Sequence, residues 1–136
     1  DERVHAAALQ RLVAGPGDPN AFRLLRQNWR AGDAARALDT LPSDLDDDSA
    51  HILASEIADH GPAPDDPRGG ELLTWVYDHS PCAFERATAV KKLAERGPLP
   101  EWMRAELAWD VSEELRELAN AGSGSSSRGS EPSAGC

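Results

Sequence analysis

His79 and Cys82 offer an imidazole and a thiol three residues apart, a pair able to grip a soft metal ion. A zinc site wants four such ligands, or three and a water. His5, His51 and His60 lie far off in the sequence, so the pair stands without companions and no metal is expected. A helix start can lower a cysteine pKa and make it reactive; the simpler reading of Cys82 is a buried, inert thiol. Asp44, Asp46 and Asp48 have the 1-3-5 spacing of a calcium loop. The loop then needs Gly at position 6 and Glu at position 12, where this chain has Ser49 and Ser55. The run reads as a solvated acidic helix start. There is no P-loop, GxGxxG or HExxH motif, and no GxSxG elbow. No catalytic residue, no cofactor and no metal ligand is assigned, and the chain reads as a non-enzyme.

Four tryptophans are the other chemically distinctive side chains. Trp29 and Trp102 fall on apolar stripes and read as core. Trp75 and Trp109 fall beside the stripes, which makes them candidates for an exposed anchor in a protein interface, where Trp is enriched.

The elements that position these residues are helices. Apolar residues recur at 3.6-residue spacing, strand-type alternation is nearly absent, and Pro, Gly and Asp punctuate the pattern. Val4, Ala8, Leu9 and Leu12 mark a first stripe. Phe22, Leu25 and Trp29 mark a second, opened by Asp18-Pro19, where Asp caps and Pro fits the first turn. Asp33 is expected to cap a short helix bearing Ala34, Ala37, Leu38 and Leu41. Ile52, Leu53 and Ile57 follow, then Leu72, Leu73, Val76 and Tyr77, then Phe84, Ala87, Val90 and Leu93. Trp102, Met103 and Leu107 precede the last stripe, Val111, Leu115 and Leu118. Asp110 through Glu113 has the form of a capping box.

Asp18, Asp48, Ser80 and Asp110 open every second helix, at spacings of 30, 32 and 30 residues. A near-constant period is the signature of a helical repeat. First helices are expected at 2–14, 33–41, 69–79 and 99–109, and second helices at 19–31, 49–60, 81–96 and 111–121. Residues 122–136, GSGSSSRGSEPSAGC, have almost nothing to bury and read as a flexible tail or appended linker. The domain is therefore 1–121.

Charge bounds the partners. The chain of 136 residues carries 24 acids against 14 bases, a net −10. Nucleic acid needs a basic stripe, and the bases here are scattered singly apart from Lys91-Lys92, so nucleic acid is disfavoured. No run approaches the roughly 18 apolar residues of a membrane span, and no leader is visible. Two cysteines make no disulfide framework, so a reduced, cytoplasmic setting is expected. Arginine outnumbers lysine 12 to 2, a coding bias that points to a GC-rich bacterial gene.

The segment Asp110-Val111-Ser112-Glu113-Glu114-Leu115-Arg116 resembles the turn and second helix of HEAT repeats. In that family an Asp opens the helix, with an apolar residue and an Arg five and six positions on, here Leu115 and Arg116. Ser80 to Arg86 matches in part, with Ser80 for the Asp and Glu85 at the apolar place. The period is short for HEAT and closer to the short bacterial repeats that resemble those of phycobilin lyases. The resemblance implies an all-α, right-handed α-solenoid of about four stacked helix pairs. It also implies that Asp110, Arg116 and Arg86 are rungs of a structural ladder linking neighbouring units.

The function expected from this reading is a protein-interaction scaffold with a concave surface lined by second helices. Arg23, Arg26, Arg30, Trp75, Trp109, Glu113 and Glu117 are the candidate partner-binding residues, and the partner is expected to be a protein, plausibly a basic one. Two alternatives come with the same sequence: a ligand-handling, chromophore-lyase-like protein using Cys82, and an acidic inhibitor of the immunity-protein type.

Overall fold

Three helix starts are capped by an aspartate immediately before them. In the computed structural model, which describes residues 1–121, the Asp1 carboxylate accepts from the Arg3 amide and caps α1 (Glu2–Ala14). Asp18 accepts from the Asn20 amide and Pro19 opens α2 (Pro19–Leu25). Asp46 accepts from the Ser49 amide at 2.7 Å and caps α4 (Asp47–His60). Each such cap is worth about 1 kcal/mol. The remaining helices are α3 (Asp33–Thr40), α5 (Gly69–His79), α6 (Ala83–Arg96), α7 (Glu101–Leu107) and α8 (Glu113–Ala121). The protein is all-helical, with no strand among the described residues. The expected tail, 122–136, lies outside them.

Three of the four expected helix pairs are in contact: α1 lies on α2, α5 on α6 and α7 on α8. The expected second pair is not formed: α3 does not pack on α4, which lies on α5 instead. The second helices form a continuous row, α2 against α4, α4 against α6 and α6 against α8, while α1 touches α3 and α3 touches α5. Two apolar clusters result. The larger gathers Leu12, Phe22, Leu25, Leu53, Ile57, Leu72, Leu73 and Val76. The smaller holds Val90, Leu99, Met103, Leu107 and Leu115. Leu93 packs against both and joins them. Burying each such side chain contributes about 1.5–3 kcal/mol before entropy is counted.

Polar contacts tie neighbouring units. His5 of α1 meets the buried Asp33 of α3 at 2.8 Å. Arg23 of α2 and Arg26, the residue just after that helix, converge on Glu56 of α4. The loop after α4 reaches back: the buried Asp66 carboxylate accepts from the amides of Gly32 and Ala34 at 3.0 and 2.9 Å. It thereby supplies the cap at the start of α3. Arg96 of α6 then holds that loop, donating to the carbonyls of Ala63 and Asp66.

Several expectations need correction. The second helix ends at Leu25 rather than near residue 31, because Asn28 folds back on it. The Asn28 side chain donates to the Leu24 carbonyl and its amide to the Leu25 carbonyl, a local alternative to further helix. Asp33 does not cap α3; it is the first helical residue and its carboxylate serves His5 and the Arg30 amide. Asp48 lies inside the first turn of α4, and Asp46 is the cap. α8 starts at Glu113, and the Ser112 hydroxyl accepts from the Leu115 amide, while Asp110 accepts from the Ser112 amide. Phe84, Trp102 and Val111, read as core, are 48%, 46% and 89% exposed. The buried face of α6 runs through Glu85, Ala89 and Val90, which turns Phe84 aside. Trp102 and Val111 belong to the last helix pair, against which no later described element packs.

Candidate functional site

Asp18, Ser80 and Asp110 do the same local job. Each side-chain oxygen accepts from the amide two residues on: Asn20, Cys82 and Ser112. The turn that enters α8 is thus fixed, and it is held a second time by Arg116, which donates to the Asp110 carbonyl at 2.6 Å. Arg86 of α6 reaches the Asp110 carboxylate at 3.5 Å, and Lys91 pairs with Glu114. Asp110, Arg116 and Arg86 are therefore structural contacts. Arg86 bridges to the next helix pair, and Arg116 closes its own turn.

This rigid turn projects two apolar side chains into solvent. Trp109 and Val111 are each 89% exposed, on either side of the anchored Asp110. The half-exposed Trp102 stands on α7 of the same pair, its ring edge-on to Tyr77 at 6.1 Å. Tyr77 in turn donates to the Glu106 carboxylate at 3.0 Å. Burial of the phenol, and then the Glu106 carboxylate beside it, push its pKa up to about 12. Residues 101–121 hold six acids, Glu101, Glu106, Asp110, Glu113, Glu114 and Glu117, against two bases, Arg104 and Arg116; two of the acids, Asp110 and Glu114, are paired with Arg86 and Lys91 of α6.

The other candidate partner residues fall elsewhere. Arg23 and Arg26 are spent on Glu56, and Arg30 reaches Glu2 at 3.3 Å. The Arg26 guanidinium, against the opposing effect of burial and with help from Arg23, holds the Glu56 carboxyl below the usual carboxylate range. Trp75 is half-buried, packed against the larger core and stacked on His79 at 4.6 Å. Glu113 is exposed and Glu117 half-buried on α8. Of the two suspected tryptophans, only Trp109 faces solvent.

The His79–Cys82 pair, weighed in the sequence and not assigned a metal, has its imidazole engaged elsewhere: His79 turns its Nδ1 to the Trp75 carbonyl at 2.9 Å. His51 of α4 takes its place. Its Nδ1 lies 3.3 Å from the Glu85 carboxylate, and one ligand atom each of His51, Cys82 and Glu85 lie within 4.8 Å of one another. Helical i, i+3 spacing of Cys82 and Glu85 was visible in the sequence; the approach of His51, 31 residues away, was not. Cys82, expected as an inert thiol, is disulfide-bonded. The reduced state expected from the low cysteine count therefore does not hold in this structure.

A cleft of about 570 Å³ opens beside the loop after α4, lined among others by His60, Lys92 and Arg96. Burial pulls the Lys92 ammonium pKa below its usual value, and its Nζ donates to the Gly61 carbonyl at 3.3 Å. Cys82 does not line this cleft. No helix among the described residues is long and apolar enough to cross a membrane. No protein-family model, curated protein or solved structure matches the chain.

Proposed function

We propose that the chain is a short, right-handed, HEAT-like α-solenoid. It binds a protein partner at the end of the stack, through the Trp109–Val111 turn and the acidic surface around it. The continuous row α2, α4, α6 and α8 supports the solenoid reading, as does the same amide-capping job done by Asp18, Ser80 and Asp110. The observation that carries the binding reading is the exposure of Trp109 and Val111 on a turn held rigid from both sides. The Arg116 and Arg86 contacts hold the backbone and side chain of Asp110 between the two exposed residues. Rigid, presented Trp side chains are the usual anchors of interfaces, since little conformational entropy is lost when they are covered.

The flanking acids specify the partner. A segment with an apolar anchor and flanking Lys or Arg fits, because unlike charges at the rim speed and orient encounter. This reading puts the interface at the end of the stack rather than on the expected concave row of second helices, where Arg23 and Arg26 are paired with Glu56.

Selection from a random peptide display library tests this. The expected result is enrichment of peptides combining an aromatic or aliphatic anchor with basic flanks, and their loss when Trp109→Ala is the bait. Enrichment that persists with Trp109→Ala would overturn the reading. So would a wild-type dimer that Trp109→Ala returns to monomer in sedimentation, since the occupant would then be a second copy of the chain.

A further inference from the structure

The His51, Cys82 and Glu85 side chains bring an imidazole nitrogen, a sulfur and a carboxylate oxygen together between α4 and α6. Two elements build the cluster. Cys82 precedes α6 and Glu85 is its third residue; three-residue spacing sets both on one face of the helix entrance. α4 packs on α6 and lays His51 against that face. Cys82 and Glu85 are buried and His51 is exposed. The cluster therefore has protein on one side and an entry path on the other.

The distances suit a tetrahedral ion. Zinc bonds nitrogen and oxygen at about 2.0–2.2 Å, which at a tetrahedral angle sets the two ligands roughly 3.4 Å apart. His51 Nδ1 and Glu85 Oε2 are 3.3 Å apart before any ion is present. Zinc–sulfur bonding at about 2.3 Å requires the sulfur to lie about 3.6 Å from the nitrogen. The sulfur, within 4.8 Å of both, needs to close by no more than roughly 1 Å, the scale of a side-chain torsion. A thiolate, an imidazole and one carboxylate favour zinc over magnesium or calcium, which want all-oxygen shells. Three protein ligands leave a fourth position for water or a partner's side chain.

The sulfur is oxidised in this structure, and only a thiolate is a ligand. Metal binding is therefore coupled to reduction. A small dithiol gives two electrons and two protons to the disulfide, becomes a cyclic disulfide itself, and leaves two protein thiols. Zinc then displaces the Cys82 thiol proton to solvent and forms the sulfur–zinc bond, with no change in oxidation state. We propose that His51, Cys82 and Glu85 form a redox-gated zinc site that clamps α4 to α6 when Cys82 is reduced, and that the disulfide abolishes.

The full chain tests this with Co²⁺ as a spectroscopic probe and Zn²⁺ as competitor. Wild type is compared oxidised and after dithiol reduction and anaerobic removal of the reductant. Cys136→Ser, which removes the only other cysteine, provides a form that cannot make an intramolecular disulfide. Reduced wild type and Cys136→Ser are expected to bind a single Co²⁺ with thiolate-to-metal charge-transfer absorption, which Zn²⁺ abolishes. His51→Ala, at an exposed position, should fold normally and weaken binding at least about tenfold; Glu85→Gln should do the same, and Cys82→Ser should lose the absorption band. The proposal is overturned if the reduced protein shows no such band, if His51→Ala binds as wild type does, or if the oxidised protein binds equally well. Unchanged binding by His51→Ala would leave His51–Glu85 as one more interhelical ion pair, and equal binding by the oxidised protein would place the metal elsewhere than on the Cys82 thiolate.

Discussion

Arg26 and Glu56, thirty residues apart, form a two-pronged ion pair: Nε to Oε2 at 2.9 Å and Nη2 to Oε1 at 2.7 Å. Arg23 adds a third contact to the same carboxylate at 3.2 Å. The pair joins α2 to α4 and neutralises the first part of the row of second helices. Glu56 is buried, whereas both guanidinium groups face solvent.

Glu56→Gln should therefore destabilise the fold by about 1–2 kcal/mol, the lower part of the range for hydrogen bonds to charged groups, because solvent screens the arginines. The sign with pH follows from the direction of the shift. The folded carboxyl titrates below its ordinary 4.5, so its contribution is complete above that value and is lost as pH falls through the folded pKa. Urea melts between pH 6 and pH 3 should show a steeper acid loss for wild type than for Glu56→Gln. Parallel curves would remove Glu56 from the acid response.

Tyr77 is the only tyrosine in the chain, so its ionisation can be followed by tyrosinate absorbance without overlap from another phenol. The expected midpoint is about 12. Glu106→Gln should bring it down, since the neighbouring carboxylate raises it. A raised pKa in the folded state means this stabilisation is complete below the unfolded value, about 10, and fades as pH climbs toward the folded one. A wild-type midpoint near 10 would mean that Tyr77 is solvated.

Two glycines make opposite predictions. A Cβ on Gly61 would run into the Trp29 indole, well inside van der Waals contact. The indole is packed against the larger core and has little room to retreat. Gly61→Ala should cost about 1–3 kcal/mol, the range for overpacking. A Cβ on Gly70 meets only Leu93, at 3.8 Å, inside helix α5. Gly70→Ala should stabilise by roughly 0.5 kcal/mol through helix propensity. Thermal melts of the two variants moving in the same direction would contradict this packing.

Trp109→Ala and Val111→Ser should each leave stability within about 0.5 kcal/mol of wild type, because both side chains are solvated. A large loss in a thermal melt would show that the pair is structural rather than presented for binding.

The helices were legible in the sequence because their signals are local. Caps, Pro and Gly stops and 3.6-residue stripes placed α1 and α5 at their observed bounds. What failed was non-local. Nothing in the sequence near Asp33 says that its capping role passes to Asp66 across the fold. Phe84, Trp102 and Val111 have apolar spacing, but burial depends on a neighbour, and the sequence cannot say which faces another element covers. For the same reason His79 was the visible companion of Cys82, while His51 came from a different helix. Trp109 was recognised because it fell off the stripe, which is a local property.

The most direct measurement is titration calorimetry of the wild-type chain and Trp109→Ala with one apolar–basic peptide taken from the display selection. If the stack-end turn is the docking site, Trp109→Ala should raise Kd at least about tenfold, roughly 1.4 kcal/mol, with its thermal midpoint unchanged. Equal Kd values for the two proteins would contradict the reading, since the most exposed aromatic side chain would then contribute nothing to binding.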